Sequence, residues 1–349
     1  MKSMTEDVAE TGPDNGVSRD SESFGMIYSK RVMKKLAILD DYENAALASA
    51  DWGRLNGKVS VEVFGDHLDD EDAIVQRLAD FEVVFLMRER TPFGASLFAR
   101  LPKLEHVITS GKRNASIDMD AARDHAVVVS GTPILPYPAA EHAWALILAL
   151  AKRIPQDDRS MREGRWGEGL NLGLRGKTLG IIGLGKLGSQ VATVGLAFGM
   201  DVIAWSRNLT AEHCVEAGVR LAAREELLAG ADFITIHLVL GDRSRGLIGA
   251  DELKLMKPTA FLINTSRGPI VDEAALVEAL QSGRIAGAGL DVFATEPLAD
   301  DHPLRALPNT VLTPHQGYVT RENFAIFYES AIENILGWLG GAPVNVLNP

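Results

Sequence analysis

Three short segments in the last third of the chain carry side chains that could act together on an anionic, carbonyl-bearing molecule: Asn264-Thr265-Ser266-Arg267-Gly268, Asp291-Val292-Phe293-Ala294-Thr295-Glu296-Pro297 and Thr313-Pro314-His315-Gln316-Gly317. Arg267 offers a rigid guanidinium fork suited to carboxylate and carbonyl oxygens. His315 belongs to the residue type whose ordinary pKa, about 6.5, lets it give or take a proton near neutrality. Glu296 can orient an imidazole and favour its charged form. An anchor, a proton donor and a group that tunes the donor are what hydride delivery to a 2-keto acid requires, because the oxygen must gain a proton as the carbon is reduced. Taken singly, each residue also has an ordinary explanation. Arg267 could bridge two lobes, Glu296 could stabilise the turn before Pro297, and His315 could be a satisfied histidine at a strand end. All three follow the ends of separate predicted strands, where ligands of doubly wound sheets collect, and that coincidence favours catalysis.

The hydride source is suggested by Gly183-Leu184-Gly185-Lys186-Leu187-Gly188, which directly follows a predicted strand ending at Ile182 and opens an amphipathic helix running through Phe198. Gly183 permits a tight turn, Gly185 lets backbone approach a pyrophosphate, and Gly188 lets the helix pack on the strand. Backbone N–H groups and the helix dipole then face the phosphates. The glycines alone equally fit a tight strand-to-helix turn; their place between a strand and a helix favours a dinucleotide. An NAD-selective site usually has an acidic residue about 20 positions on. Here that place holds Ser206-Arg207-Asn208, which can receive a 2′-phosphate through charge-assisted hydrogen bonds. The expectation is NAD(P)(H) with NADP(H) favoured, the competing reading being Arg207 in solvent or stacked on adenine. His237, at another strand end, is read as lining the adenosine pocket, whereas His67, His106, His125, His213 and His302 are read as surface or packing residues.

The elements that must position these groups follow from periodicity. From Lys35 onward short apolar runs alternate with longer helical patterns, the mark of an α/β protein with parallel sheets covered on both faces. Five runs between Leu36 and Val129 make a first unit. Six between Thr178 and Thr313 make a complete doubly wound sheet. Pro133, Pro136 and Pro138 punctuate the join, and a helical pattern from Arg321 to about Trp338 is expected to fold back on the first unit. The organisation read from this is residues 34–135 and 316–349 as a substrate lobe and 136–315 as a dinucleotide lobe, preceded by a disordered extension over residues 1–33.

At 349 residues the chain is long enough for two cores. A formal net charge of -12 argues against nucleic acid as a partner. The most apolar stretch, from Ala139 to Ala151, carries Glu141 and His142 and is too short to span a bilayer, so it reads as a buried helix, with His142 packing between lobes. A single cysteine, Cys214, excludes an intrachain disulfide framework and fits a cytoplasmic protein. No metal is expected, since no H-E-x-x-H spacing occurs and arginine and histidine already supply polarisation and a proton.

With these residues in hand, the chain from about Lys35 to its end resembles the D-isomer-specific 2-hydroxyacid dehydrogenase family. The glycine loop, Asn264 to Gly268 continuing into Val271-Asp272-Glu273, Gly289 to Pro297 and Thr313-Pro314-His315 carry the likeness, in that order. The resemblance implies a Rossmann coenzyme domain inserted in a flavodoxin-like substrate domain. It also implies Arg267 as substrate anchor, His315 as acid/base with Glu296 as its partner, Asp291 near the nicotinamide carboxamide, and Thr265 and Gly317 on the cofactor side. The first-lobe loop Ser110-Gly111-Lys112-Arg113-Asn114-Ala115 matches the family's substrate-carboxylate loop, with Lys112 and Arg113 more basic than is common and serving either the substrate or the surface. Arg88, Arg90 and Tyr318 are further residues expected to face the cleft. The apolar helix and the arm from Arg162 to Trp166 resemble the dimer-forming region, which implies a homodimer. Formate oxidation is disfavoured because similar formate dehydrogenases carry Gln where this chain has Glu296. A dinucleotide-sensing corepressor or scaffold on the same fold is the alternative from another class.

Overall fold

The computed structural model describes residues 33–167 and 169–349, so the extension expected over residues 1–33 lies, but for Met33, outside the described residues. Strands β1 (Lys34–Ile38), β2 (Val59–Val63), β3 (Val83–Leu86), β4 (His106–Thr109) and β5 (Val128–Gly131) form an all-parallel sheet in the order β2-β1-β3-β4-β5. Strands β6 (Thr178–Ile182), β7 (Asp201–Trp205), β8 (Arg220–Leu221), β9 (Phe233–Ile236), β10 (Phe261–Asn264), β11 (Gly287–Leu290) and β12 (Thr310–Leu312) form a second parallel sheet in the order β12-β11-β10-β9-β6-β7-β8. The first order is that of a flavodoxin-like sheet, the second that of a Rossmann sheet with one further strand.

Parallel strands joined by crossover helices are covered on both faces, so their sequences run apolar rather than alternating. Accordingly β3, β4, β9 and β11 are buried at every position. The second sheet has seven strands where six are expected. The extra one, β8, is two exposed residues paired only with β7, too short for any period to reveal.

The chain crosses between the sheets twice. The helix Pro138–Ala151 leads into the second sheet, burying Trp144, Leu146, Ile147 and Leu150 with Leu179, Ile181, Phe233 and Ile263. The helix Arg321–Leu339, capped by Thr320, returns to the first sheet and buries Phe324, Phe327, Tyr328 and Ile332 with Leu36, Phe85 and Ile108. Asn323 joins the two crossings. Its fully buried amide accepts from Leu135 N at 2.8 Å and donates to Tyr318 O at 2.8 Å, so removing it would leave the buried Tyr318 carbonyl unsatisfied. Among the described residues no helix is long and apolar enough to cross a membrane.

His106 shows the cost of a buried titratable group in this core. It is fully buried against Trp338 of the returning helix, its Nε2 lies 3.0 Å from Ser130 Oγ, and its Nδ1 has no partner among the described residues. Burial lowers its pKa from 6.5 to about 3. Between those values the unfolded chain binds a proton that the folded chain refuses, so stability falls as pH is lowered through that window. The contribution reaches on the order of 3 kcal/mol by pH 4. Denaturant unfolding followed from pH 7 to pH 4 should therefore show a shallower loss of stability in His106→Phe than in the wild type, and parallel slopes would place the loss elsewhere.

Candidate active site

The two lobes face each other across a cleft of about 760 Å³. Its first-lobe wall comes from the turns after β1 and β3, including Tyr42, Arg88, Glu89 and Arg90. Its second-lobe wall comes from the turns after β10, β11 and β12, with Arg267, Glu296 and His315 among the lining residues.

Each second-lobe turn is held by a specific device. After β10, Asn264 bends the chain on itself, its Oδ1 accepting from Ser266 N at 3.0 Å and its Nδ2 donating to Arg267 O at 3.0 Å. Arg267 then projects from extended backbone, donating from Nη1 to Ser266 O at 2.7 Å and from Nη2 to Glu89 of the other lobe at 3.1 Å. Gly268 must be glycine, because a Cβ there would lie 1.9 Å from Phe293 O. That close approach sets the Arg267 turn against the turn that leads to Glu296. Glu296 Oε1 accepts from Phe293 N at 2.8 Å, which closes its own turn and aims the other oxygen outward.

The turn after β12 is shaped by Asp291, which is fully buried. Its Oδ1 accepts from Thr313 Oγ1 at 2.6 Å and from Gln316 N at 2.7 Å, and its Oδ2 from Gly317 N at 2.8 Å. A buried carboxylate is tolerated when its lone pairs are filled in this way. Between these anchored points His315 adopts φ 55, a left-handed conformation that costs a non-glycine residue of order 1 kcal/mol or more. Its Nδ1 lies 2.6 Å from Glu296 Oε2, and Tyr318 packs edge-on against the ring at 5.4 Å between centroids. The Tyr318 hydroxyl is buried without a partner among the described residues, and burial raises its pKa above the ordinary value.

In the second lobe Gly183 takes φ 102, and a Cβ on it would lie 2.5 Å from His237 O. A Cβ on Gly188 would lie 2.1 Å from Gly183 O. The helix Lys186–Ala197 starts at Gly185 with no side-chain cap, leaving its first-turn N–H groups open to a ligand. Thr265 Oγ1 is buried with no partner among the described residues. His237 Nε2 lies 2.9 Å from Thr235 Oγ1, and burial lowers its pKa to about 4, so it stays neutral.

Similarity to known proteins agrees with this geometry. A family profile described as "D-isomer specific 2-hydroxyacid dehydrogenase, NAD binding domain" matches residues 144–317. A glyoxylate reductase from Aeropyrum pernix is 44% identical over 263 residues, 72% of this chain and 78% of that one. The chain belongs to the D-isomer specific 2-hydroxyacid dehydrogenase family. A D-3-phosphoglycerate dehydrogenase from Mycobacterium tuberculosis is 39% identical over 72% of this chain, which spans only 48% of that longer relative. A solved phosphoglycerate oxidoreductase from Vibrio cholerae superimposes with a TM-score of 0.85 at 36% identity, covering 89% of this chain and 100% of that one. The protein is accordingly a nicotinamide-dependent oxidoreductase of the CH–OH group.

A dinucleotide fits what this family member presents: a glycine cradle that Cβ atoms would fill, an uncapped helix start and an orphaned hydroxyl at Thr265. Beyond the glycine loop, Ser206 is half-buried and Arg207 exposed. Of the first-lobe residues, Gly111 takes φ 91 beneath the Arg88 guanidinium, with its N–H donating to Thr132 Oγ1 at 2.9 Å. Lys112 and Arg113 are exposed and stand apart from the cleft lining, which takes Arg88 and Arg90 instead.

Two further histidines belong to the site. His142 Nε2 lies 2.8 Å from Thr313 Oγ1 and 3.1 Å from Asp291 Oδ1, joining the network beneath His315. His67 is a cleft residue, with Nδ1 2.7 Å from Asp40 Oδ1 and Nε2 3.1 Å from Asp69. The Glu141-His142 pair opening an apolar helix was the available signal for the first. The second depends on a turn conformation that no local pattern encodes.

The two loop glycines give separable expectations. A Cβ at Gly185 meets nothing within 4 Å, so Gly185→Ala should keep wild-type thermal stability while weakening dinucleotide binding, which is read by fluorescence titration. Gly188→Ala, forced against backbone, should lose both. Equal stability loss in the two variants would contradict the assignment of Gly185 to ligand approach.

Proposed function

We propose that the protein reduces small 2-keto acids to D-2-hydroxy acids, with His315 as the proton donor, Glu296 as its partner and Arg267 as the substrate anchor. The observation that carries this reading is the 2.6 Å contact between His315 Nδ1 and Glu296 in a cleft that also holds the Arg267 guanidinium. With Nδ1 engaged, Nε2 is the ring nitrogen left for proton transfer, and the adjacent carboxylate fixes the orientation of the ring. Arg267 binds anionic oxygen through its fork, and Tyr318, packed edge-on, covers one side of the imidazole.

The bound dinucleotide supplies the hydride. Gly183, Gly185, Lys186, Leu187 and Gly188 would hold its phosphates, Ser206 and Arg207 its ribose, and Thr265, His237, Asp291 and Gly317 the nicotinamide and adenosine surroundings. The exposed Arg207 and the absence of a carboxylate beside it support a preference for NADP(H). Comparison of kcat/KM for NADPH and NADH tests that, and a clear NADH preference would refute it. On this reading residues 136–315 serve the dinucleotide and residues 34–135 with 316–349 the substrate. Met161, Trp166 and Leu170, 55%, 85% and 96% exposed on and after the helix Ile154–Arg162, support assembly as a homodimer.

His315→Ala should lower kcat by about two to four decades with dinucleotide affinity nearly unchanged. Glu296→Gln weakens the contact that orients the imidazole, so kcat should fall about tenfold or more with dinucleotide affinity nearly unchanged. An unchanged kcat would remove Glu296 from its role. Absence of turnover with any 2-keto acid and either cofactor would refute the reductase reading.

A further inference from the structure

The turn after β3 puts a carboxylate into a cleft otherwise suited to anions. Glu89 lies between two arginines, its Oε2 accepting from Arg267 Nη2 at 3.1 Å and its Oε1 3.6 Å from Arg88 Nη2. It comes from the first lobe and Arg267 from the second, so the pair spans the cleft. Together these three groups carry one net positive charge.

The other basic groups on the walls already have acidic partners. Arg90 is nine-tenths buried, bonded to Glu43 at 3.1 Å and to Asp40 O at 2.6 Å. His315 is engaged by Glu296, and His67 lies between Asp40 and Asp69. Arg305, on the rim, donates to Ala299 O at 2.8 Å and to Leu298 O at 2.6 Å, with Asp300 3.9 Å away. Among the described cleft residues, the cluster with more arginines than carboxylates is therefore Arg88, Glu89 and Arg267.

We infer that Glu89 is a specificity-determining residue that restricts the cleft to 2-keto acids bearing one negative charge and rejects those whose side chain carries a second carboxylate or a phosphate. The inference rests on the 2-keto acid reading above. Once a substrate carboxylate engages Arg267, the four groups sum to zero. A second anion would then meet no net positive charge and would lie beside the Glu89 carboxylate, a repulsion that strengthens as water leaves the cleft. A neutral side chain meets no such penalty. With an uncharged residue at position 89, Arg88 would be released to bind a second anion.

The matched probes are 2-oxopentanoate and 2-oxoglutarate, five-carbon keto acids ending in a methyl group and a carboxylate. Turnover of each is measured by kcat/KM, and binding of each to the cofactor-free protein by calorimetry. The wild type should favour the monoacid by about tenfold or more in both readouts. Glu89→Gln should shrink that ratio at least about tenfold, mainly through KM for the diacid, and Glu89→Asp should retain it. An unchanged ratio in Glu89→Gln, or a wild type that takes the diacid as readily as the monoacid, would overturn the inference. The wild-type preference tests it without any variant. If neither acid is turned over but the monoacid binds more tightly, the reductase reading fails and the charge filter stands.

Discussion

The arrangement of the active site depends on one buried carboxylate. Asp291 directly follows β11 with no exposure to solvent, and three donors converge on it: the Thr313 hydroxyl and two successive backbone N–H groups, with the His142 ring 3.1 Å away. A carboxylate in that position cannot be left half-satisfied, because stripping it of partners costs several kcal/mol. The turn carrying His315 therefore has little freedom. It must bring the N–H groups of Gln316 and Gly317 to Asp291, and the left-handed conformation of His315 follows from that demand. Glu296 then has only to close its own turn on Phe293 to meet the imidazole.

The second constraint is that this machinery works across two lobes. Arg267 reaches Glu89, and Gln316 donates to Glu43 at 3.2 Å, so both lobes are polar neighbours of the histidine turn. Asn323 holds the two crossing segments together just behind it. Directional hydrogen bonds thus link the walls of the cleft. A continuous apolar interface would bind the lobes more rigidly, and polar interfaces of this kind leave room for the closure that many such enzymes use.

Much of this was legible in the sequence, for identifiable reasons. Buried parallel strands are written as contiguous apolar runs, so the strands were placed to within a residue or two, and the chain's return to the first sheet was implied by the apolar face of its last long helix. Arg267, Glu296 and His315 were recognisable because three chemically matched side chains followed three strands of one sheet. Strand β8 was not, since two exposed residues at an edge carry no period. His67, His142 and Glu89 escaped because their importance is tertiary. Each is an ordinary polar residue until turns from distant strands bring Asp40, Asp291 or Arg267 beside it. Lys112 and Arg113 were open between substrate and surface in the sequence; both are exposed and stand apart from the residues that line the cleft, among them Arg88.

In the proposed reaction His315 and Arg267 fix one face of a 2-keto acid toward the dinucleotide. The most direct measurement is chiral chromatography of the 2-hydroxy acid formed from a 2-keto acid and reduced nicotinamide cofactor. The D isomer alone is expected. A racemic or L product would contradict it.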